Sequence, residues 1–308
     1  MRPGVYGILY LDQNMNFPKT IVTRNILCAR FFRSDNEADI IATNSVAVIT
    51  GGCGGMGIAC ARRLGKHHTL LLADIDARRL DTAAGALSAD GYTVNTTAGD
   101  LMEPEVIAAL AEKARSLGRL GALVHTAGLS PTMAGGRRVL EFNIAATARI
   151  ERAFLPLAEP GTAAVLIAST AGHMDRFGDK HDAILRDPLA ADFWDRLAED
   201  AAGSENAYII SKRGVIRYAE QVAAEWGARG ARIVSISPGT IATPMGRLEF
   251  DNQPLMKPML DMTPIQRWGD PDDIAAAVEF LCSADAVYIT GTDLRVDGGI
   301  TARLRGQA

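Results

Sequence analysis

From Ser45 onward the chain alternates between two hydrophobic patterns. Short apolar runs, rich in β-branched residues, stand at 46–50 (VAVIT), 69–74 (TLLLAD), 92–100 (YTVNTTAGD), 122–128 (ALVHTAG), 163–170 (AAVLIAST), 232–239 (RIVSISPG) and 293–299 (DLRVDGG). Between them, apolar positions recur three and four apart, as in ARRLDTAAGALSA and EPEVIAALAEKARSL. A helix is also expected over Gly57–Lys66, and a long one through Asn143 to Leu157. Continuous apolar strands between helices mean a parallel sheet covered on both faces. The pattern predicts an α/β doubly wound Rossmann fold with a seven-stranded parallel sheet over residues 45–308.

Residues 1–44 break the pattern. Pro3 and Pro18 interrupt them, and the first 34 residues carry five basic side chains against one acidic. They lack the contiguous apolar core and cleavage site of a secretory signal, and are poorly amphipathic for a transit peptide. They read as a flexible or loosely docked extension. A misplaced translation start is the other reading, which mass spectrometry of the native N-terminus would decide.

Composition removes several function classes. The chain has 308 residues, 48% of them hydrophobic, and a formal net charge of −4, which gives no basic footprint for nucleic acid. No apolar run is long enough to span a membrane. Cys28, Cys53, Cys60 and Cys282 form no C-x-x-C pair, and His67, His68, His125, His173 and His181 show no ligand spacing. A metal is not expected, and a reducing, cytoplasmic setting is.

The segment VAVITGGCGGMGIA places five glycines within Gly51–Gly57, directly after a strand and at a helix start. Such a turn makes an anion site: backbone N–H groups point outward and the helix dipole favours phosphate. The T-G-x-x-x-G-x-G spacing (Thr50, Gly51, Gly55, Gly57) lacks the G-K-[ST] ending of a triphosphate loop and points to a dinucleotide. A tight turn with glycines for packing is the competing reading. Asp74 ends the second strand, where an acid bonds ribose hydroxyls and repels a 2′-phosphate, so NAD is favoured over NADP. Its alternative is a helix N-cap or turn residue. Arg78 and Arg79 read as solvated surface.

Tyr208 and Lys212, in AYIISKRG, are four apart and share a helix face. A nearby ammonium favours a phenolate, giving a general acid/base for an alcohol proton. By itself the pair is weak. In its context the chain resembles the short-chain dehydrogenase/reductase family over about residues 45–300. The resemblance implies cofactor contacts from Gly51, Gly55, Met56, Gly57, Asp74, Asp100, Leu101, Ala127, Gly128, Tyr208, Lys212, Pro238, Ile241 and Thr243. It implies catalytic roles for four residues. Tyr208 would exchange the proton, Ser169 would hold the substrate oxygen, and Lys212 would depress the tyrosine pKa and hold the ribose. Asn143 would anchor a water leading to solvent. His125 and Thr126, in HTAG, depart from the family's usual two asparagines; His125 reads as a local hydrogen-bonder.

Ser169 and Tyr208 are 39 positions apart, where the family usually has about a dozen. The insert, about 173–205, shows Leu189, Phe193, Leu197 and Ala201 at four-residue spacing, with Pro188 fitting a first helical turn. It resembles that of bacterial 3α-hydroxysteroid dehydrogenase/carbonyl reductases, which implies an added helix for dimer contact; a solvated insertion is the alternative. Met245, Met256, Met259 and Met262 suggest an adaptable apolar lid, or core filler. The expectation is an NAD-dependent enzyme, a homodimer or homotetramer, interconverting a small hydrophobic secondary alcohol and its ketone. The alternatives are an NADP-linked carbonyl reductase and a non-catalytic NAD-binding regulator.

Overall fold

A computed structural model describes residues 45–175 and 178–306; the expectation for 1–44 lies outside them. The first half runs β1 (Ser45–Thr50), α1 (Gly55–Leu64), β2 (Thr69–Asp74), α2 (Ala77–Ala89), β3 (Val94–Ala98), α3 (Pro104–Leu117) and β4 (Arg119–His125). Then come α4 (Gly136–Leu140), α5 (Thr147–Phe154), β5 (Ala163–Ile167), α6 (Gly178–Leu185), α7 (Phe193–Leu197), α8 (Ser204–Gly227) and β6 (Arg232–Pro238). The chain closes with α9 (Pro244–Asn252), α10 (Met256–Met262), α11 (Pro271–Cys282), β7 (Asp293–Val296) and α12 (Ile300–Arg305). Among the described residues seven strands pair in parallel, in the order β3-β2-β1-β4-β5-β6-β7. The order reverses beside β1, so the crevice at the carboxyl ends of β1 and β4 is where such a sheet takes a ligand.

The central strands β1, β2, β4 and β5 are largely apolar because both faces are covered. On one face Val46, Val48, Leu123, Leu166 and Ile233 pack with buried residues of α3, α5 and α8. On the other, Ala47, Ile49, Leu70, Leu72 and Val234 pack with α1, α2 and α11. Under α8 lies a buried carboxylate, Glu151, which accepts hydrogen bonds from Tyr218 Oη (2.8 Å) and Trp226 Nε1 (2.7 Å). Burial pushes its pKa up, and the two donors only partly oppose that. Glu151→Ala is expected to cost about 2–5 kcal/mol, because it leaves a cavity and two orphaned donors. The raised pKa means the folded state holds the proton longer than the unfolded one. Stability from this group is therefore full below the ordinary carboxylate range and is lost as pH rises through the raised value. Urea titrations against pH should show that slope in the wild type and lose it in Glu151→Gln.

Two helical expectations need correction. The helix expected over Asn143–Leu157 is interrupted: residues Glu141–Ala146 form a π-helical turn between α4 and α5, and Leu155–Leu157 is a 3₁₀ turn. Thr147 Oγ1 donates to the Asn143 carbonyl (2.7 Å), a side-chain bond that competes within the widened turn. In the insert the helices are α6 and the short α7, while Pro188 and Leu189 lie in a turn in which Ala190 N–H bonds the Asp187 carbonyl, not in a first helical turn. The insert is partly buried in the monomer. Ile184, Leu185, Phe193, Leu197 and Ala201 are buried in the same core as Phe154 and Tyr218. Each such burial is worth about 1.5–3 kcal/mol for the large side chains. The buried His181 ring ties the insert's ends, with Nδ1 2.7 Å from Asp175 and Nε2 3.1 Å from Asp200.

Candidate active site

The glycine turn between β1 and α1 is shaped by contacts as well as by conformation. Gly51 has φ +69°, and a Cβ on it would meet Thr126 Oγ1 at 2.7 Å. A Cβ on Gly57 would stand 2.2 Å from the Gly51 carbonyl. Helix α1 then opens at Gly54 with no side-chain cap and no acidic residue in its first turn. Its first N–H groups are thus suited to an anion. Met56 is partly buried beside them, and Leu101 is buried.

Asp74 stands at the end of β2, facing this turn. Its Oδ2 accepts from Cys53 N–H and its Oδ1 from Asp76 N–H, both at 3.3 Å. The N-cap of α2 is Asp76, which accepts from Arg79 N–H (3.1 Å), so Asp74 does not serve as that cap. Arg79 differs from a purely solvated residue: its guanidinium donates to the Cys53 carbonyl (3.2 Å). Arg62, Arg78 and Arg79 line a cleft of about 400 Å³ beside Cys53. Burial, with Asp74 next, pushes the Cys53 thiol up to about 12, so it stays protonated. Asp100 accepts from Met102 N–H (2.9 Å) and Arg138 (2.8 Å). Ile75, 66% exposed next to Asp74, is an apolar flank that sequence reasoning passed over.

After β4 the HTAG segment knits the strands together. Thr126 Oγ1 donates to the Thr50 carbonyl (2.7 Å). His125 is buried, with Nδ1 2.6 Å from Thr50 Oγ1 and Nε2 2.9 Å from Thr147 Oγ1. The Thr147 hydroxyl gives its proton to the Asn143 carbonyl, so Nε2–H donates and Nδ1 accepts. Burial, with the Lys212 charge adding, lowers the His125 pKa to about 3 and keeps the ring neutral. These two residues tie β1, β4 and the π turn, the task that the family's asparagines usually have.

Asn143, in the π turn, accepts from Leu129 N–H (2.8 Å) and donates to the Leu129 carbonyl (2.9 Å) and Ser211 Oγ (3.1 Å). Its amide is committed to protein partners, and its carbonyl accepts from Thr147 Oγ1. Leu129 and Ser211 were not evident from the sequence, because they matter only through these bonds.

Tyr208 and Lys212 lie one turn apart on α8, opposite the end of β5. Lys212 Nζ donates to the Ile167 carbonyl (3.0 Å) and sits 5.7 Å from the Tyr208 ring centroid. Ser169 caps the 3₁₀ turn Thr170–His173, accepting from Ala171 N–H (3.2 Å), and its side chain is close enough to the Tyr208 phenol to act on its pKa. A Cβ on Gly172 would stand 2.7 Å from the backbone of Lys212 and Arg213, so this turn needs glycine to reach α8. A Cβ on Gly128 would stand 3.4 Å from both Asn143 Oδ1 and Lys212 Nζ. Ala127 and Gly128 are partly buried, and Pro238, Ile241 and Thr243 are buried.

Burial raises the Tyr208 pKa, the Ser169 side chain opposes it, and Glu249 adds to it. The Lys212 ammonium lies over the Tyr208 ring face and donates to the Ile167 carbonyl. Burial lowers Lys212 itself to about 8.

A Rossmann sheet, a glycine turn with an acid at the end of β2, and Ser, Tyr and Lys at the end of β5 now stand together. A family model described as short chain dehydrogenase matches residues 45–180, and one described as Enoyl-(Acyl carrier protein) reductase matches 196–301. Short-chain dehydrogenase/reductase bsc3 of Alternaria brassicicola is 33% identical over 82% of this chain and 94% of its own. The chain belongs to the short-chain dehydrogenase/reductase family. Galactitol 2-dehydrogenase (L-tagatose-forming) of Cereibacter sphaeroides is 32% identical over 83% of this chain and 94% of its own. Among solved structures, levodione reductase is similar with a TM-score of 0.69 and 26% identity over 84% of this chain and 98% of that one. Members of this family use a nicotinamide cofactor and act on alcohol or ketone substrates, so this chain is an oxidoreductase acting on CH–OH groups. Among the described residues no helix is long and apolar enough to cross a membrane, and no cluster of His, Cys, Asp or Glu is arranged to hold a metal.

Proposed function

We propose that the protein is an NAD-dependent dehydrogenase that interconverts a hydrophobic secondary alcohol and its ketone, close in type to the bacterial 3α-hydroxysteroid dehydrogenase/carbonyl reductases. The observation that carries it is the convergence of Tyr208, Ser169 and Lys212 beside Gly128. When bound, the nicotinamide supplies or takes the hydride. Tyr208 moves the proton at the substrate oxygen, and Ser169 holds that oxygen. Lys212 meets the nicotinamide ribose, with Asn143 beside it at Gly128. The helix start at Gly55–Gly57, which has no side-chain cap, takes the pyrophosphate, Asp74 the adenosine ribose and Asp100 the adenine.

The lid supports an apolar substrate. Met245, Leu248 and Leu255 are exposed on α9 and beside α10, and Met256, Met259 and Met262 are only partly buried. None of these methionines fills the core, so they are available to a ligand. Residues 45–308 act as one catalytic domain in this reading, and self-association as a homodimer or homotetramer is part of it, to be read by sedimentation. A second reading has a specific observation in its favour: Arg79 at the Cys53 carbonyl, with Arg62 and Arg78 nearby, suits an NADP-linked carbonyl reductase.

The deciding assay follows nicotinamide absorbance with NAD and NADP in turn, against hydroxysteroids, terpene alcohols and simple secondary alcohols. Turnover with NAD is the expected result. Tight NAD binding with no turnover, and no change on Tyr208→Phe, would favour a non-catalytic regulator.

A further inference from the structure

We propose that Glu249 selects substrates by charge: its carboxylate, latched to Thr132 across the mouth of the active site, turns away ketones and alcohols that carry a negative group. The inference rests on the oxidoreductase reading of the Tyr208 site. Helix α9 starts against the cofactor turn. Thr243 caps it by accepting from Gly246 N–H (2.9 Å), and the Thr243 methyl lies 2.9 Å from the place of a Cβ on Gly55. Farther along α9, Glu249 meets the loop after β4, where Thr132 Oγ1 donates to Glu249 Oε1. Ser130 Oγ, from a buried residue, lies 3.2 Å from the same Thr132 hydroxyl.

The cation two positions before Glu249 on α9 has an aromatic partner of its own. Arg247 stacks on Trp268 at 5.8 Å, and Trp268 packs on Phe250 with ring centroids 4.8 Å apart. Glu249 is partly buried, and its charge is felt at the Tyr208 phenol, whose pKa it helps raise. A substrate oxygen held by Ser169 and Tyr208 therefore places its substituents near a carboxylate. A neutral, hydrogen-bond-donating or cationic substituent is accepted there; a carboxylate, sulfonate or phosphate is repelled through a partly apolar medium.

The test compares 4-oxocyclohexanecarboxylate with its methyl ester, as NADH-dependent kcat/KM, in the wild type and Glu249→Gln. Gln still accepts from Thr132 but carries no charge. The wild type is expected to favour the ester about tenfold or more, and Glu249→Gln to reduce that preference at least fivefold through the KM of the acid. Ester turnover that disappears in Tyr208→Phe establishes the parent reading separately; an unchanged preference in Glu249→Gln then overturns charge selection alone. The latch has its own readout. Thr132→Val should speed amide hydrogen exchange across α9, while Glu249→Gln should not; unchanged exchange in Thr132→Val overturns the latch whatever the activity.

Discussion

Tyr208→Phe should lower kcat by about 10²–10⁴-fold while leaving cofactor affinity within about threefold, as expected for removal of a general acid/base. The ring of Tyr208 stays, so its packing on α8 and its contact with Lys212 survive. What disappears is the hydroxyl near Ser169 that, in the proposed mechanism, meets the substrate oxygen. Stopped-flow absorbance with saturating cofactor would separate the chemical step from binding. A drop in KM-type terms with kcat preserved would sink the assignment of the proton to Tyr208. The same pair of proteins tests the electrostatics. The ultraviolet difference between wild type and Tyr208→Phe, titrated without cofactor, should show a phenol ionising above its usual value, because burial and Glu249 disfavour the phenolate. Ionisation near neutrality in the free protein would mean that Lys212 governs the phenol after all.

Much of this arrangement is legible in the sequence for a local reason. A strand buried on both faces must be continuously apolar, so β1, β2 and β5 are visible as VAVIT, TLLLAD and AAVLI. The chemistry sits where those strands end, and Tyr208 and Lys212 are one helical turn apart. The rest is not local. EFNIAA has the composition of an ordinary helix, and it widens into a π turn because Thr147 bonds back to Asn143 while His125 holds Thr147 from β4. The insert's four-residue period describes which side chains are buried, yet turns achieve much of that burial as well as a helix does. Glu249 meets Thr132 across 117 positions of sequence, so no spacing rule could have paired them.

Asp74→Ser should move the ratio of kcat/KM for NAD over NADP by about 100-fold or more toward NADP. Two effects add in that ratio. A hydrogen bond from a neutral hydroxyl to a carboxylate is worth about 1.5–3 kcal/mol, so losing the ribose contact costs NAD about 10–100-fold. Removing the carboxylate also removes its repulsion of a 2′-phosphate, while Arg79, already at the Cys53 carbonyl, remains to attract one. Asp76 keeps its place as the N-cap of α2, so the helix start should not move. Arg79→Ala supplies the opposite arm. If the wild type is NAD-linked, Arg79→Ala leaves NAD turnover within about threefold and abolishes the gain that Asp74→Ser gives to NADP. If the wild type already prefers NADP and Arg79→Ala reverses that preference, the guanidinium governs the pocket and Asp74 does not. The two side chains stand on opposite sides of Cys53, one bonding its N–H and the other its carbonyl. The double variant therefore measures how strongly the two compete for the same cofactor atoms.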